Sequence, residues 1–206
     1  DHRDLHSFPT RRSSDLRGDN EPWRHSRLRW LNSTLGTDDQ PAKGYDPIKV
    51  QDNLYLLSGK ELLFDENIMA SSVKVYGTEL LSGPVSFTVE TTSGREIFSP
   101  ITDIKGIKDA PGIQWGEWTR NSENFSLLCS GYIESDGYLN YKYTLKALND
   151  ISIKDIRLDI PVNSKISEYM MGMGLPGTTV PEHHEAKWEG PHDSFWIGNT
   201  KAGIWC

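Results

Sequence analysis

Apolar and polar residues alternate with period two along much of this chain, most clearly over residues 125–162. Leu139, Tyr141, Tyr143, Leu145 and Ala147 interleave with Asn140, Lys142, Thr144 and Lys146. Successive side chains of a strand point to opposite faces, so this segment has one face to bury and one to wet. Phe125, Leu127, Cys129 and Ile133 carry the same alternation, and Ser135-Asp136-Gly137 supplies a turn between the two runs. Leu148-Asn149-Asp150 turns the chain again before Ile151 and Ile153. The phase then slips, because Ile156, Leu158 and Ile160 are apolar while Arg157 and Asp159 between them are charged. A slip of one residue reverses every later side chain, so a bulge is predicted near Lys154-Asp155. The segment predicts a meander of three antiparallel strands whose apolar face needs a second layer to cover it.

Shorter strand signals run from residue 48 onward: 48–51, 54–58, 60–64, 68–75, the alternation of Val85, Phe87 and Val89, and 96–98 after the turn Thr92-Ser93-Gly94. Ile104 and Ile107 flank Gly106, and Ile113, Trp115 and Trp118 lead into the meander. Met170, Met171 and Met173 lie among Gly172, Gly174, Pro176 and Gly177, which predicts a structured connection in place of a strand. A phosphate cradle there would need a following helix, and Pro181 with its acidic and histidine neighbours argues against one. Short strands return at 186–188, 194–198 and 202–206, while 164–169 offers one helical turn at most. Turn signals at intervals of roughly 8–12 residues favour an all-β, antiparallel β-sandwich, of supersandwich-like type, over a parallel sheet. The chain ends on Trp205-Cys206 without a turn or polar tail, so the expectation is a sandwich truncated at its C-terminus.

Two segments stand outside that domain of residues 48–206. Residues 17–47 read as an irregular lead-in, with Trp23, Leu28, Trp30 and Leu31 as apolar anchors and Gly36, Pro41, Gly44 and Pro47 as breakers. Residues 1–16 read without a mismatch as one translated frame of a sequencing-library adapter, so they are set aside as an artefact and expected to be disordered. Their charges cancel, and the natural N-terminus, with any leader peptide, is expected to be missing.

Composition narrows the function classes. Charged residues are 25 %, mean hydropathy is −0.56, and the net charge is −7, so no basic surplus exists to neutralise phosphates and no nucleic-acid partner is expected. No apolar run is long enough to span a membrane, and no membrane partner is expected. Two cysteines, Cys129 and Cys206, cannot build a disulfide framework, and Cys129 reads as a buried thiol.

Candidate chemistry is sparse. His183, His184, Glu185, His192 and Asp193 form the densest group of potential ligands, but catalytic zinc sites place HExxH on a helix, and none is predicted here. A polar loop face is the better reading, so no metal or other cofactor is expected; Asp38-Asp39 is likewise read as a solvated turn. Asp65-Glu66 is an adjacent carboxylate pair of the kind glycosidases use, yet it sits in a turn with nothing to split the two pKa values. It too is read as a solvated turn, leaving no catalytic residue. Seven tryptophans remain, at 23, 30, 115, 118, 188, 196 and 205. They can stack on sugar rings, but filling a core or an interdomain seam is the expectation for most of them.

Arg27-Leu-Arg-Trp-Leu-Asn-Ser33, Gly36, Asp38-Asp39, Tyr45-Asp-Pro47, Met171-Gly-Met-Gly174, Trp188, Ser194-Phe-Trp-Ile-Gly-Asn199 and Ala202-Gly203 follow one another in an order that resembles the N-terminal β-sandwich domain of glycoside hydrolase family 123. The resemblance implies a β-N-acetylgalactosaminidase-like parent whose adjacent Asp-Glu pair lies in a following (β/α)8 barrel, with the substrate's acetamido group as nucleophile. It implies that the partner of this chain is that missing C-terminal catalytic barrel, with a glycan as a second partner, in a secreted or periplasmic protein. Trp30, Asn32, Trp188 and Trp196 are the candidates for the interdomain seam or for glycan contact. The alternative is a free-standing carbohydrate-binding or surface-interaction sandwich.

Overall fold

The computed structural model describes residues 34, 37–101, 103–189 and 193–206. The chain divides into two units, Asp1–Asp38 and Asp39–Cys206. Little of the first is described beyond a turn in which Thr37 donates to the Thr34 carbonyl through both its amide and its hydroxyl.

The second unit is all-β among the described residues. Its first sheet is an antiparallel meander of β1 (Lys49–Gln51), β2 (Leu54–Leu57), β3 (Lys60–Phe64), β4 (Ala70–Val75) and β5 (Thr78–Glu79). A second sheet holds β6 (Ser86–Thr91) and β7 (Gly94–Arg95), and a third orders β8 (Ile104–Ala110), β9 (Ile113–Asn121), β10 (Phe125–Glu134) and β11 (Leu139–Ala147) side by side. β12 (Ile153–Asp159) then crosses to pair with β6. The last sheet comprises β13 (Tyr169–Gly172), β14 (Leu175–Thr179), β15 (Phe195–Gly198) and β16 (Gly203–Trp205), in the order β14-β13-β15-β16.

The alternating pattern acts through the faces it creates. Leu62 and Phe64 from β3, with Met69 and Ala70, are buried against Ile133, Leu139 and Tyr141 from the third sheet. Each fully buried side chain of this size contributes about 1.5–3 kcal/mol. Tyr143 ties the third sheet to the second and to the segment before β4: its ring stacks on Phe87 of β6 at 5.1 Å, and its hydroxyl donates to the Met69 sulfur at 2.8 Å. Tyr141 donates to the Ile68 carbonyl at 2.9 Å. Burial raises both phenolic pKa values, so the two hydroxyls remain donors. Trp118, Leu127 and Cys129 fill a further part of the core, and burial pushes the Cys129 thiol up to about 12 against a weaker opposing pull from Arg120.

Several expectations change. β10 and β11 pair as the alternation predicts, and the bulge appears at Lys154, where Ile153 faces Thr91 and Asp155 faces Glu90. The third strand does not complete the meander, because its apolar Ile156 and Leu158 register against Val89 and Phe87 of β6. Residues 96–98 and 186–188 are not strands, and β4 starts only at Ala70 because Ile68 turns the chain at a φ of 56°. The glycine-rich stretch around Met171 is a hairpin and not a connection.

Candidate functional site: the outer face of the last sheet

The last sheet is short, and glycines decide how it packs. Gly172 ends β13 at a φ of 94°, and Met173 at 49° and Gly174 at 87° follow it in the turn, a left-handed run that closes the hairpin onto β14. A Cβ at Gly172 would lie 2.1 Å from the Ser194 carbonyl, so only glycine lets β13 approach β15 this closely. Asn199 accepts from the amides of Lys201 and Ala202 at 2.9 and 3.1 Å, which shapes the turn from β15 to β16.

Trp196 depends on that turn. Gly198 and Gly203 face each other across β15 and β16, and the Trp196 indole lies over both. A Cβ at Gly203 would come within 2.5–2.7 Å of the indole, and one at Gly198 within 2.7 Å. The ring is therefore laid flat along the sheet. Register places Met171 and Trp205 directly beside Trp196, on either side, and Tyr169 beside Gly198. The outward row is thus Met171, Trp196 and Trp205, with Met171 41 % and Trp205 66 % exposed. Tyr169 shares this face, and its hydroxyl bonds to Glu168, which raises its pKa. The opposite face is the anchored one: Ala202 and Ile204 pack on Leu80 and Ile166. A row of large, partly exposed side chains thus lies on one face over a buried second face.

Of the residues singled out from the sequence, Trp196 is central to this face. Trp188 is 50 % exposed in the extended segment before β15. Trp30 and Asn32 lie outside the described residues, as does His192. Core filling holds for Trp118, while Trp115, Trp188 and Trp205 are exposed. Sequence reasoning missed Met171, Tyr169 and Trp205 as members of the face, since their adjacency follows from register alone. It also missed an outer row on the third sheet, where Trp115 faces Tyr132 and the Tyr132 ring lies 5.8 Å from that of Tyr138.

Asp65 is a turn cap. Its carboxylate accepts from the amides of Asn67 at 2.8 Å and Met69 at 2.9 Å, while Glu66 is exposed. Asp39 is paired with Lys108 at 2.7 Å. His183 meets Glu185 at 3.4 Å on an open surface, and His184 lies 3.2 Å from the Met173 carbonyl. Among the described residues no three His, Cys, Asp or Glu side chains converge as a metal would require.

A family model described as glycoside hydrolase 123, third domain, matches residues 48–206. The matched region is the family's third domain by that description, where the resemblance pointed to an N-terminal one. No curated protein matches the chain.

Proposed function

Because the chain belongs to the glycoside hydrolase 123 family, we propose that it is a non-catalytic β-sandwich module of such an enzyme, serving to support the catalytic barrel through the outer face of its last sheet. The observation that carries this reading is Trp196 laid flat on Gly198 and Gly203, beside the exposed Met171 and Trp205. Aromatic and thioether side chains gathered in one patch match the residues enriched in interface cores. The domain number in the family description fits a module that works beside others. The chemistry of the parent, hydrolysis of a β-N-acetylgalactosaminide or a related glycoside, belongs on this reading to the barrel. Asp65, one of the two adjacent carboxylates, caps a turn, which supports the non-catalytic reading.

The test has two parts. The chain alone should not hydrolyse aryl N-acetyl-β-galactosaminide or other aryl glycosides; turnover that vanishes in Asp65→Ala or Glu66→Ala overturns the non-catalytic reading. Co-expressed with the catalytic barrel of its own reading frame, the chain should co-purify with it, and Trp196→Ala with Trp205→Ala should release it. Unchanged association in that double variant would overturn the docking face.

A further inference from the structure

A second concavity lies away from the last sheet, where the first and third sheets part. Gly106, Gly116 and Gly131 stand side by side on β8, β9 and β10. The cleft they help line has a volume of about 370 Å³, within the range of small-ligand sites. Its depth is graded. A Cβ at Gly131 would meet the Asn140 carbonyl at 3.0 Å and the Tyr141 ring at 3.1 Å, so that position is filled. At Gly116 a Cβ would make only ordinary contacts, with Ile104 at 3.5 Å and the Lys105 carbonyl at 3.8 Å, and at Gly106 it would meet nothing within 4 Å. The space therefore opens toward the β8 edge.

The lining has two characters. Trp118, Ile104 and Phe64 supply an apolar wall, with Tyr55 set edge-on to Phe64 at 5.1 Å. Along the rim Asp109 accepts from Gln114 at 2.6 Å, and Asp52 stands in the turn between β1 and β2. Asp109 is near enough to Tyr55 to add to burial in raising that hydroxyl's pKa, which keeps it a donor. Lys108, which also lines the cleft, gives its ammonium to Asp39 at 2.7 Å. The rim thus offers carboxylate acceptors and a phenol donor, with its lysine already paired. Charge repels an acidic ligand, and a wholly apolar one would leave these groups unpaired.

We infer that this cleft binds one pyranose unit bearing no acidic group, a neutral hexose or an amino sugar, with its C–H face on the apolar wall and its hydroxyls donating to Asp109 and Asp52. The inference stands apart from the docking face, since no residue is shared between them. Saturation-transfer NMR and titration calorimetry on the full chain test it, using methyl β-D-glucopyranoside, methyl β-D-galactopyranoside, D-glucosamine and D-glucuronate. At least one of the three non-acidic sugars should bind in the millimolar range, at least tenfold tighter than glucuronate. Gly106→Val should fill the cleft, leave the thermal midpoint unchanged or higher, and abolish binding. Asp109→Asn, which preserves volume, should bring the bound sugar and glucuronate within about threefold of each other. Absence of binding by all three non-acidic sugars, equal binding of glucuronate to the unaltered chain, or undiminished binding by a folded Gly106→Val would each overturn the inference.

Discussion

Gly198 and Gly203 face each other across β15 and β16, as Gly106 and Gly116 do across β8 and β9, yet the space above the two pairs is used differently. Over the first pair lies the Trp196 indole, within 2.7 Å of where either Cβ would stand. Over the second pair a Cβ would come no closer than 3.5 Å to any neighbour, at Ile104. Missing side chains weaken a strand wherever they occur. In the last sheet the indole refills the gap and the loss is offset by packing. In the third sheet the gap stays open as a cleft. The identity of the residue does not tell these roles apart; the neighbour does.

Breaking the filled pair should have the largest effect. Gly203→Ala places a methyl group against the indole, and Gly172→Ala places one 2.1 Å from the Ser194 carbonyl at a φ of 94°. Each should cost about 2–4 kcal/mol, the scale of an overpacked and strained site, with Gly172→Ala the worse because backbone and not a side chain must yield. Urea midpoints measure both. The mechanism is checked by the double variant: Trp196→Ala should recover most of the Gly203→Ala loss and none of the Gly172→Ala loss. Additive costs in both pairs would mean that the indole is not what makes Gly203 necessary.

The open pair predicts the opposite sign. Gly106→Ala meets no neighbour within 4 Å, and its φ lies outside the left-handed region. It should therefore stabilise by about 0.4–1 kcal/mol, through the smaller entropy of the unfolded chain. The same measurement decides it. A loss comparable to that of Gly203→Ala would show that the cleft closes on itself and would remove the distinction between the two regions.

How much of this was legible in the sequence follows from the range over which each feature is determined. β10 and β11 were readable because alternation and a tight turn are local, and the Lys154 bulge was readable as a phase slip within one strand. That β12 pairs with β6 was not readable, since partner choice depends on residues more than sixty positions away. The hairpin at Met171 was obscured because glycines needed for close approach look the same as glycines that loosen a loop. Trp196 could be picked out as a candidate, but the face required the register that sets it between Met171 and Trp205. The cleft needed the registers of three strands at once. A glycine in each of three alternating runs was the only trace it left.

The smallest expected effect separates the supports of the two regions. Glu79 ends β5 and accepts from the amides of Val73 and Leu81, each at 3.0 Å, and from the Ser72 hydroxyl. Burial pushes its pKa up, but these bonds and the nearby Lys74 outweigh it, and the net shift is downward. A group whose folded pKa is depressed contributes stability above its unfolded value, near about 4.3, and loses it as pH falls through the folded value. The next residue, Leu80, packs under the last sheet with Ile166 and Ala202, and Asn163 donates to the Leu80 carbonyl at 2.8 Å and to that of Glu79 at 3.3 Å. Acid should therefore loosen the filled region first, by a few tenths of a kcal/mol given the partial exposure of the carboxylate. Amide exchange corrected for intrinsic rates should show β15 and β16 losing protection as pH falls below about 4.3 while β9 and β10 hold theirs, and Glu79→Gln should remove the difference. Equal loss in both sheets would mean that the domain opens as one cooperative unit, with its filled and open glycine pairs sharing a single support.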